Sequence, residues 1–154
     1  MKNFIIAIAL MFSATSFAQF SQGTWTFGVG TDFTTSDNTA NASYFVMDGI
    51  MVSLEFDMTT DNGLEGEAEV LGQTNWGIGA RYYIGEDGLW AGAKVSNWTD
   101  PLGVEEDGMD MSLMVGCSKA FMENIWFEPC VMMEMPAADD SMTLGLGMGF
   151  RFAF

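Results

Sequence analysis

The chain has 154 residues, with 21 acidic and five basic side chains, no histidine and a formal net charge of −16. The length fits one domain, and a hydrophobic content of 49% excludes a disordered chain. So few bases cannot neutralise a run of phosphates, so nucleic acid is not an expected partner. Without histidine there is no histidine-based catalytic triad or metal site. Because only 17% of the residues are charged, we expect something other than water to face part of the surface.

The first 18 residues have the pattern of a secretory signal peptide. Lys2 gives a short basic start, an apolar run follows from Phe4 to Phe12, and Ser16-Phe17-Ala18 has the small-residue form that signal peptidase cuts. A transmembrane anchor is the alternative, but the apolar run is far shorter than the roughly 20 residues that a membrane helix needs. The sequence therefore predicts a signal peptide at 1–18 and an exported domain at 19–154.

Apolar residues recur at every second position along the exported part, which is the period of a β-strand. The pattern is clearest from Met142 to Phe154, where every second residue is apolar. This stretch exceeds the roughly five or six residues of most soluble strands and reaches the roughly 9–11 that a membrane-spanning strand needs. Similar alternation predicts seven further strands, at 24–33, 39–47 (the least regular one), 50–58, 75–84, 89–96, 109–118 and 125–135.

The connections between these strands alternate in length. Turn residues lie at 48–49, at 85–88 and within 120–124, whereas longer, acidic connections lie at 34–38, 59–73, 99–107 and 136–141. Short turns at one end and longer loops at the other are typical of bacterial membrane barrels.

The two clearest turns also predict the pairing of their strands. The turn at 85–88 places Ile84 opposite Leu89, and the turn at 48–49 places Met47 opposite Ile50. We therefore expect Met47 and Phe45 to lie on the apolar face of the sheet.

Alternation alone leaves open whether the apolar face lies inside, as in a soluble ligand-binding barrel, or outside, as in a membrane barrel. The polar face is mostly Gly, Ser, Thr and single charges, which is too sparsely charged for a water-exposed exterior. No charge falls on the apolar face of the predicted strands, where one Lys or Arg at mid-bilayer would cost about 2–4 kcal/mol. The sequence therefore predicts an all-β fold, an eight-stranded antiparallel up-and-down transmembrane β-barrel.

Charged residues on the inward face of these strands are the candidate site. A selectivity lining or a proton-linked gate is one interpretation. We prefer a network of ion pairs and hydrogen bonds that satisfies buried groups, since a barrel of eight strands is only wide enough for its own side chains. The predicted network comprises Asp32, Glu55, Asp57, Arg81, Lys94, Asp110, Glu128, Glu134 and Arg151.

Other candidate sites are weaker. The acidic segment 61–69 lacks the spacing of an EF-hand loop, and we expect it to be solvated rather than to bind calcium. Cys117 and Cys130 fall on opposite faces of neighbouring strands, so we expect free thiols. Alternate methionines such as Met109 and Met111 are most simply lipid-facing. We expect no catalytic residue, no cofactor and no metal, although chemistry based on carboxylates alone is left open.

A family resemblance rests on two hairpins and on the terminal run of the sequence. The hairpins are Tyr44-Phe45…Asp48-Gly49-Ile50 and Tyr82-Tyr83…Asp87-Gly88-Leu89, and the run is Gly149-Phe150-Arg151-Phe152-Ala153-Phe154. They resemble the small outer-membrane β-barrel domains of Gram-negative bacteria, the OmpA/OmpX-like group.

That resemblance implies an outer-membrane location, contact with lipids and a monomer. It also implies that Phe150, Phe152 and Phe154 form a C-terminal signal for the barrel-assembly machinery. It implies no specific activity, so we expect a structural or surface-interaction role in envelope integrity. A narrow porin-like channel and, less favoured, a soluble secreted ligand-binding barrel are the alternatives.

Overall fold

The computed structural model describes residues 20–33, 38–59, 73–85, 87–98, 108–136 and 142–154. In these ranges the chain forms the strands β1 (Trp25–Asp32), β2 (Asn38–Met47), β3 (Ile50–Thr59), β4 (Gln73–Ile84), β5 (Leu89–Trp98), β6 (Gly108–Cys117), β7 (Lys119–Met122), β8 (Ile125–Met135) and β9 (Thr143–Ala153). The predicted signal peptide at 1–18 and the acidic segment 61–69 lie outside the described residues. None of the described residues belongs to a helix that is long and apolar enough to cross a membrane.

The strands close into a barrel. From β1 to β6 each strand pairs antiparallel with the next, and β9 pairs with both β8 and β1. At the closing seam Thr26 lies opposite Ala153, and Asp32 lies opposite Gly147. Segments β6 and β7 both pair with β8 and together make one strand of the barrel. The fold is therefore the predicted eight-stranded antiparallel up-and-down barrel.

The strand formed by β6 and β7 is interrupted at Ser118. The Ser118 backbone N–H donates to the carbonyl oxygen of Gly88 at 2.8 Å, and the Ser118 hydroxyl donates to Glu128 Oε1 at 2.5 Å inside the barrel. Pairing resumes in β7 and continues to Met122. This strand therefore continues beyond the predicted 109–118. The prediction ended it too early because the loss of alternation at Ser118 resembles a strand end in the sequence.

Side chains alternate between the two faces of the barrel wall as predicted. The outward positions hold large apolar residues such as Phe27, Leu54 and Ile78, which are 44% to 59% exposed. The predicted hairpin pairs are also confirmed, since Ile84 lies opposite Leu89.

Phe45 is a correction to the predicted faces. It is only 1% exposed and lies inside the barrel, not on the outward apolar face. Met47 pairs with Ile50 as predicted, but Phe45 pairs with Met51, so Val46 is an extra residue without a partner in the β2–β3 ladder. A bulge of this kind shifts the alternation by one residue and turns Phe45 inward.

The end of the barrel that carries the tight turns, here called the turn end, is filled by apolar side chains. Its buried cluster consists of Phe45, Met51, Tyr83, Trp90 and Met114.

Phe20 packs against this cluster from the chain segment that precedes β1. Its ring stacks on Tyr83 with the ring centroids 4.2 Å apart. Its carbonyl oxygen accepts a hydrogen bond from Gly49 N at 2.8 Å, and the nearby Gln22 N donates to Asp48 Oδ1 at 2.8 Å. The segment 20–24 is therefore tied to the turn end.

Candidate functional site: the barrel lumen

The lumen contains a cavity of about 300 Å³, and all nine predicted charged residues line it. The period of two explains this convergence, because these nine residues all lie at inward-facing positions of their strands. Lining residues such as Asp110, Glu134 and Pro136 come from the strand ends next to the longer connections. Phe45, Met51 and Tyr83 of the turn-end cluster are not among the lining residues. The cavity therefore occupies the half of the barrel opposite the turn end.

Glu128 on β8 is shared by two arginines. Its Oε1 lies 2.9 Å from Arg151 Nε on β9, and its Oε2 lies 2.8 Å from Arg81 Nη1 on β4. The Ser118 hydroxyl adds a third hydrogen bond at 2.5 Å. Glu128 and Arg151 are 5% and 3% exposed. Because buried charges are tolerated only when paired, each group here requires the others.

Arg151 also joins strands across the closing seam. Its Nη1 donates to Thr26 Oγ1 on β1 at 2.9 Å, and to Ser43 Oγ and Asn41 Oδ1 on β2 at 3.1 and 3.2 Å. Gly28 makes room for this arrangement, since a Cβ there would lie 2.7 Å from Asn41 Oδ1. One guanidinium group therefore connects β1, β2 and β8 to β9.

Arg81 lies over the face of Trp90, with the guanidinium carbon 4.1 Å from the ring centroid. This is cation–π geometry, which stabilises a cation in a partly desolvated place. Trp90 is fully buried and belongs to the turn-end cluster. Arg81 therefore couples the ion pairs of Glu128 to the apolar side chains beneath them.

A second ion pair lies at Lys94. Its Nζ is 2.9 Å from Asp57 Oδ2, and Thr39 Oγ1 donates to Asp57 Oδ1 at 2.6 Å. Glu55, on the same face of β3, accepts a hydrogen bond from Ser53 Oγ at 2.7 Å.

The remaining predicted residues, Asp32, Asp110 and Glu134, line the same cavity. Among the nine charged residues, six are carboxylates and three are bases, so this lining carries three more negative than positive charges.

Several participants were absent from the predicted set. Thr26, Ser43, Asn41 and Ser118 all bond to the charged groups around Glu128. Their inward positions follow from the strand period, but neutral side chains of this kind are common on any inward face. Only their positions next to Arg151 and Glu128, which follow from the strand register, distinguish these four residues from other neutral side chains on the inward face.

The two cysteines are free thiols. Cys117 lies opposite the outward Leu89, whereas Cys130 lines the lumen cavity. The wall of the barrel therefore lies between them, as the assigned faces predicted.

The C-terminal phenylalanines lie on the outward side. Phe150 packs against Phe127, with the ring centroids 5.5 Å apart, and the terminal Phe154 is 84% exposed. The Phe154 backbone N–H donates to the Trp25 carbonyl at 2.9 Å, which extends the pairing of β9 with β1.

Across the described ranges, no group of three or more His, Cys, Asp or Glu side chains is arranged to hold a metal ion. The acidic segment 61–69 lies outside those ranges.

The comparisons with known proteins point to the fold alone. No known family profile matches the sequence, and no curated protein matches it. The crystal structure of the N-terminal β-barrel domain of Pseudomonas aeruginosa OprF is similar, with a TM-score of 0.67 and 15% identity over 86% of this chain and 98% of that one. A chain from the de novo design of transmembrane β-barrels has a TM-score of 0.50 and 12% identity over 88% and 99% of the two chains. This protein has the fold of the eight-stranded transmembrane β-barrels.

Proposed function

We propose that this protein is a bacterial outer-membrane β-barrel with a structural or surface-interaction role in envelope integrity, a lumen closed by side chains, and no catalytic activity. It is exported by the signal peptide at 1–18 and is a monomer in contact with outer-membrane lipids. The barrel-assembly machinery recognises its last strand through Phe150, Phe152 and Phe154.

The observation that carries this proposal is the inverted placement of polar and apolar side chains. Leu54 and Ile78 on the paired strands β3 and β4, and Leu144 on the distant strand β9, point outward and are 44% to 72% exposed, whereas Glu128 and Arg151 are buried inside. A soluble monomer rarely exposes a contiguous apolar patch of more than about 300–600 Å². A bilayer core is the solvent that suits such an exterior.

A closed lumen is supported by two layers of side chains in series. The Glu128 ion pairs cross the barrel between β4, β8 and β9. Beneath them lie Trp90 and Tyr83 of the turn-end cluster, with Phe20 stacked against Tyr83. Continuous passage of hydrated ions requires a polar path from end to end, and the apolar layer interrupts such a path.

The membrane assignment is tested by gel mobility. Purified chain folded in detergent is run with and without boiling, and we expect the unboiled sample to migrate differently because a folded barrel resists the gel detergent. A chain that stays soluble without detergent and shows no mobility difference would contradict the assignment.

The closed lumen is tested separately in planar bilayers. We expect conductance equal to that of a protein-free bilayer after insertion has been verified by the mobility shift. Steady unitary conductance would instead support the narrow-channel alternative.

A further inference from the structure

Three sulfur-bearing side chains occupy neighbouring positions on one part of the lumen wall. Met114 on β6 lies directly opposite Met132 on β8, and Cys130 precedes Met132 by two residues on the same inward face. All three line the lumen cavity, and all three pack within or against the turn-end cluster.

Gly147 lies on β9, the strand next to β8, and its missing side chain leaves space beside Cys130 and Met132. A Cβ at Gly147 would lie 3.2 Å from Cys130 Sγ and 2.7 Å from Met132 Cε, so both atoms adjoin the same point above the Gly147 backbone. Residues directly opposite in an antiparallel pair have Cβ atoms about 4.5–5.5 Å apart. Met114, opposite Met132, is therefore a close neighbour of this place, and its flexible, unbranched side chain is long enough to extend toward it.

The charge and the donor atoms at this place select one kind of ligand. The surplus of carboxylates over bases on the cavity lining favours a cation over an anion. Thioether and thiolate sulfur atoms are soft ligands, which favour Cu⁺ over hard cations such as Mg²⁺ or Ca²⁺. Cys130 and Met132 are partly buried against the apolar turn-end cluster that includes Trp90, an environment that suits a weakly hydrated monovalent ion.

We propose that Met114, Cys130 and Met132 bind one soft monovalent metal ion of the Cu⁺ class inside the lumen. On binding, the Cys130 thiol gives its proton to solvent and forms a metal–thiolate bond, and each methionine sulfur donates a lone pair. The metal stays monovalent throughout, so no oxidant or reductant is consumed. The site needs only the closed barrel and is independent of the role proposed above.

Cys117 provides the matched control, because it is the same chemical group on the outward face. The probe is Ag⁺, which shares the ligand preference of Cu⁺ and does not change oxidation state, titrated calorimetrically into detergent-folded chain in chloride-free buffer. In a Cys117→Ser chain we expect one equivalent to bind. Adding Cys130→Ser should weaken this binding about 100-fold or more, and adding Met132→Leu or Met114→Leu about 10-fold.

The proposal is overturned if the Cys117→Ser chain binds no Ag⁺, or if adding Cys130→Ser leaves its affinity unchanged. The boiled and unboiled mobility shift verifies that each variant is folded. If the variants do not fold, the unmodified chain still decides the question by alkylation with a maleimide. Ag⁺ at one equivalent should slow the labelling of Cys130 and not that of Cys117, whereas equal slowing of both would overturn the proposal.

Discussion

At the scale of single residues, the centre of this barrel depends on one carboxylate held by two guanidinium groups. Glu128 contacts both Arg81 and Arg151 in a place that water hardly reaches. A buried ion pair adds little net stability compared with an apolar replacement, but removing one partner leaves an uncompensated charge. Glu128 is therefore the residue whose loss should disturb the lumen most.

Glu128→Gln should lower the free energy of unfolding by about 3–5 kcal/mol, because it leaves two buried arginines without their shared counter-charge. Urea unfolding of the detergent-folded chain, followed by tryptophan fluorescence, measures this loss. Asp87→Asn, an exposed change of the same chemical kind in a turn, should stay within about 0.5 kcal/mol of the unchanged chain. Equal effects of the two substitutions would contradict the central role of Glu128.

At the scale of strands, two irregularities decide what the turn end contains. The bulge at Val46 turns Phe45 inward against Met51 and Tyr83, and the break at Ser118 joins β6 to the hairpin of β4 and β5 through the Gly88 carbonyl. Both irregularities lie close to tight turns, where a change of register readily shifts the alternation of side chains along a long strand.

Phe45→Ala should cost about 3–5 kcal/mol, since it opens a cavity in the packed turn-end cluster. Phe56→Ala, on the outward face of β3, leaves no cavity and should cost only the transfer free energy of the side chain, about 1.5–3 kcal/mol. Parallel unfolding titrations of the two variants compare these values. If Phe56→Ala cost as much as Phe45→Ala, the bulge would not be turning Phe45 into the core.

The turn at 85–88 offers a second comparison within one element. Gly85 and Gly88 have backbone φ angles of 66° and 75°, so alanine is strained at either position. A Cβ at Gly85 meets nothing within 4 Å, whereas one at Gly88 would collide with the carbonyl oxygen of Ser118. Gly85→Ala should therefore cost about 1–2 kcal/mol and Gly88→Ala about 1–3 kcal/mol more, measured as shifts of the urea midpoint. Identical midpoints would show that the contact with Ser118 does not matter.

Much of the wall could be predicted from sequence, because the two faces of each strand differ sharply in polarity. Charges such as Lys94 and Asp57 were placed in the lumen on that basis alone. The partners of Arg151 could not be predicted, since Thr26, Asn41 and Ser43 meet it only through the registers of β9 with β1 and of β1 with β2. Phe45 was misplaced because a single extra backbone residue leaves the composition of the strand unchanged.

At the scale of the whole molecule, strand length sets the membrane that the barrel fits. Strands β2, β3 and β5 each contain 10 residues. With a rise of about 3.3 Å per residue and a tilt of about 40°, they span about 25 Å.

We therefore expect folding to be faster and more complete in vesicles of short-chain lipids than in vesicles of lipids with C18 chains, because mismatch with a thicker bilayer carries an energetic cost. The fraction of chain with folded gel mobility, measured over time after dilution from urea, gives both quantities. Higher yields in the C18 vesicles would contradict the span deduced from strand length.

The seam between β1 and β9 has a consequence for how the chain matures. Arg151 bonds to Thr26 across 125 positions of sequence, and Phe154 pairs with Trp25, so the edges of the sheet meet only when residues far apart in the chain come together. Contacts of such high sequence separation form slowly, because chain entropy must be lost before they contribute. Closure is therefore a late step of folding, and until then both edge strands are open to pairing with other chains.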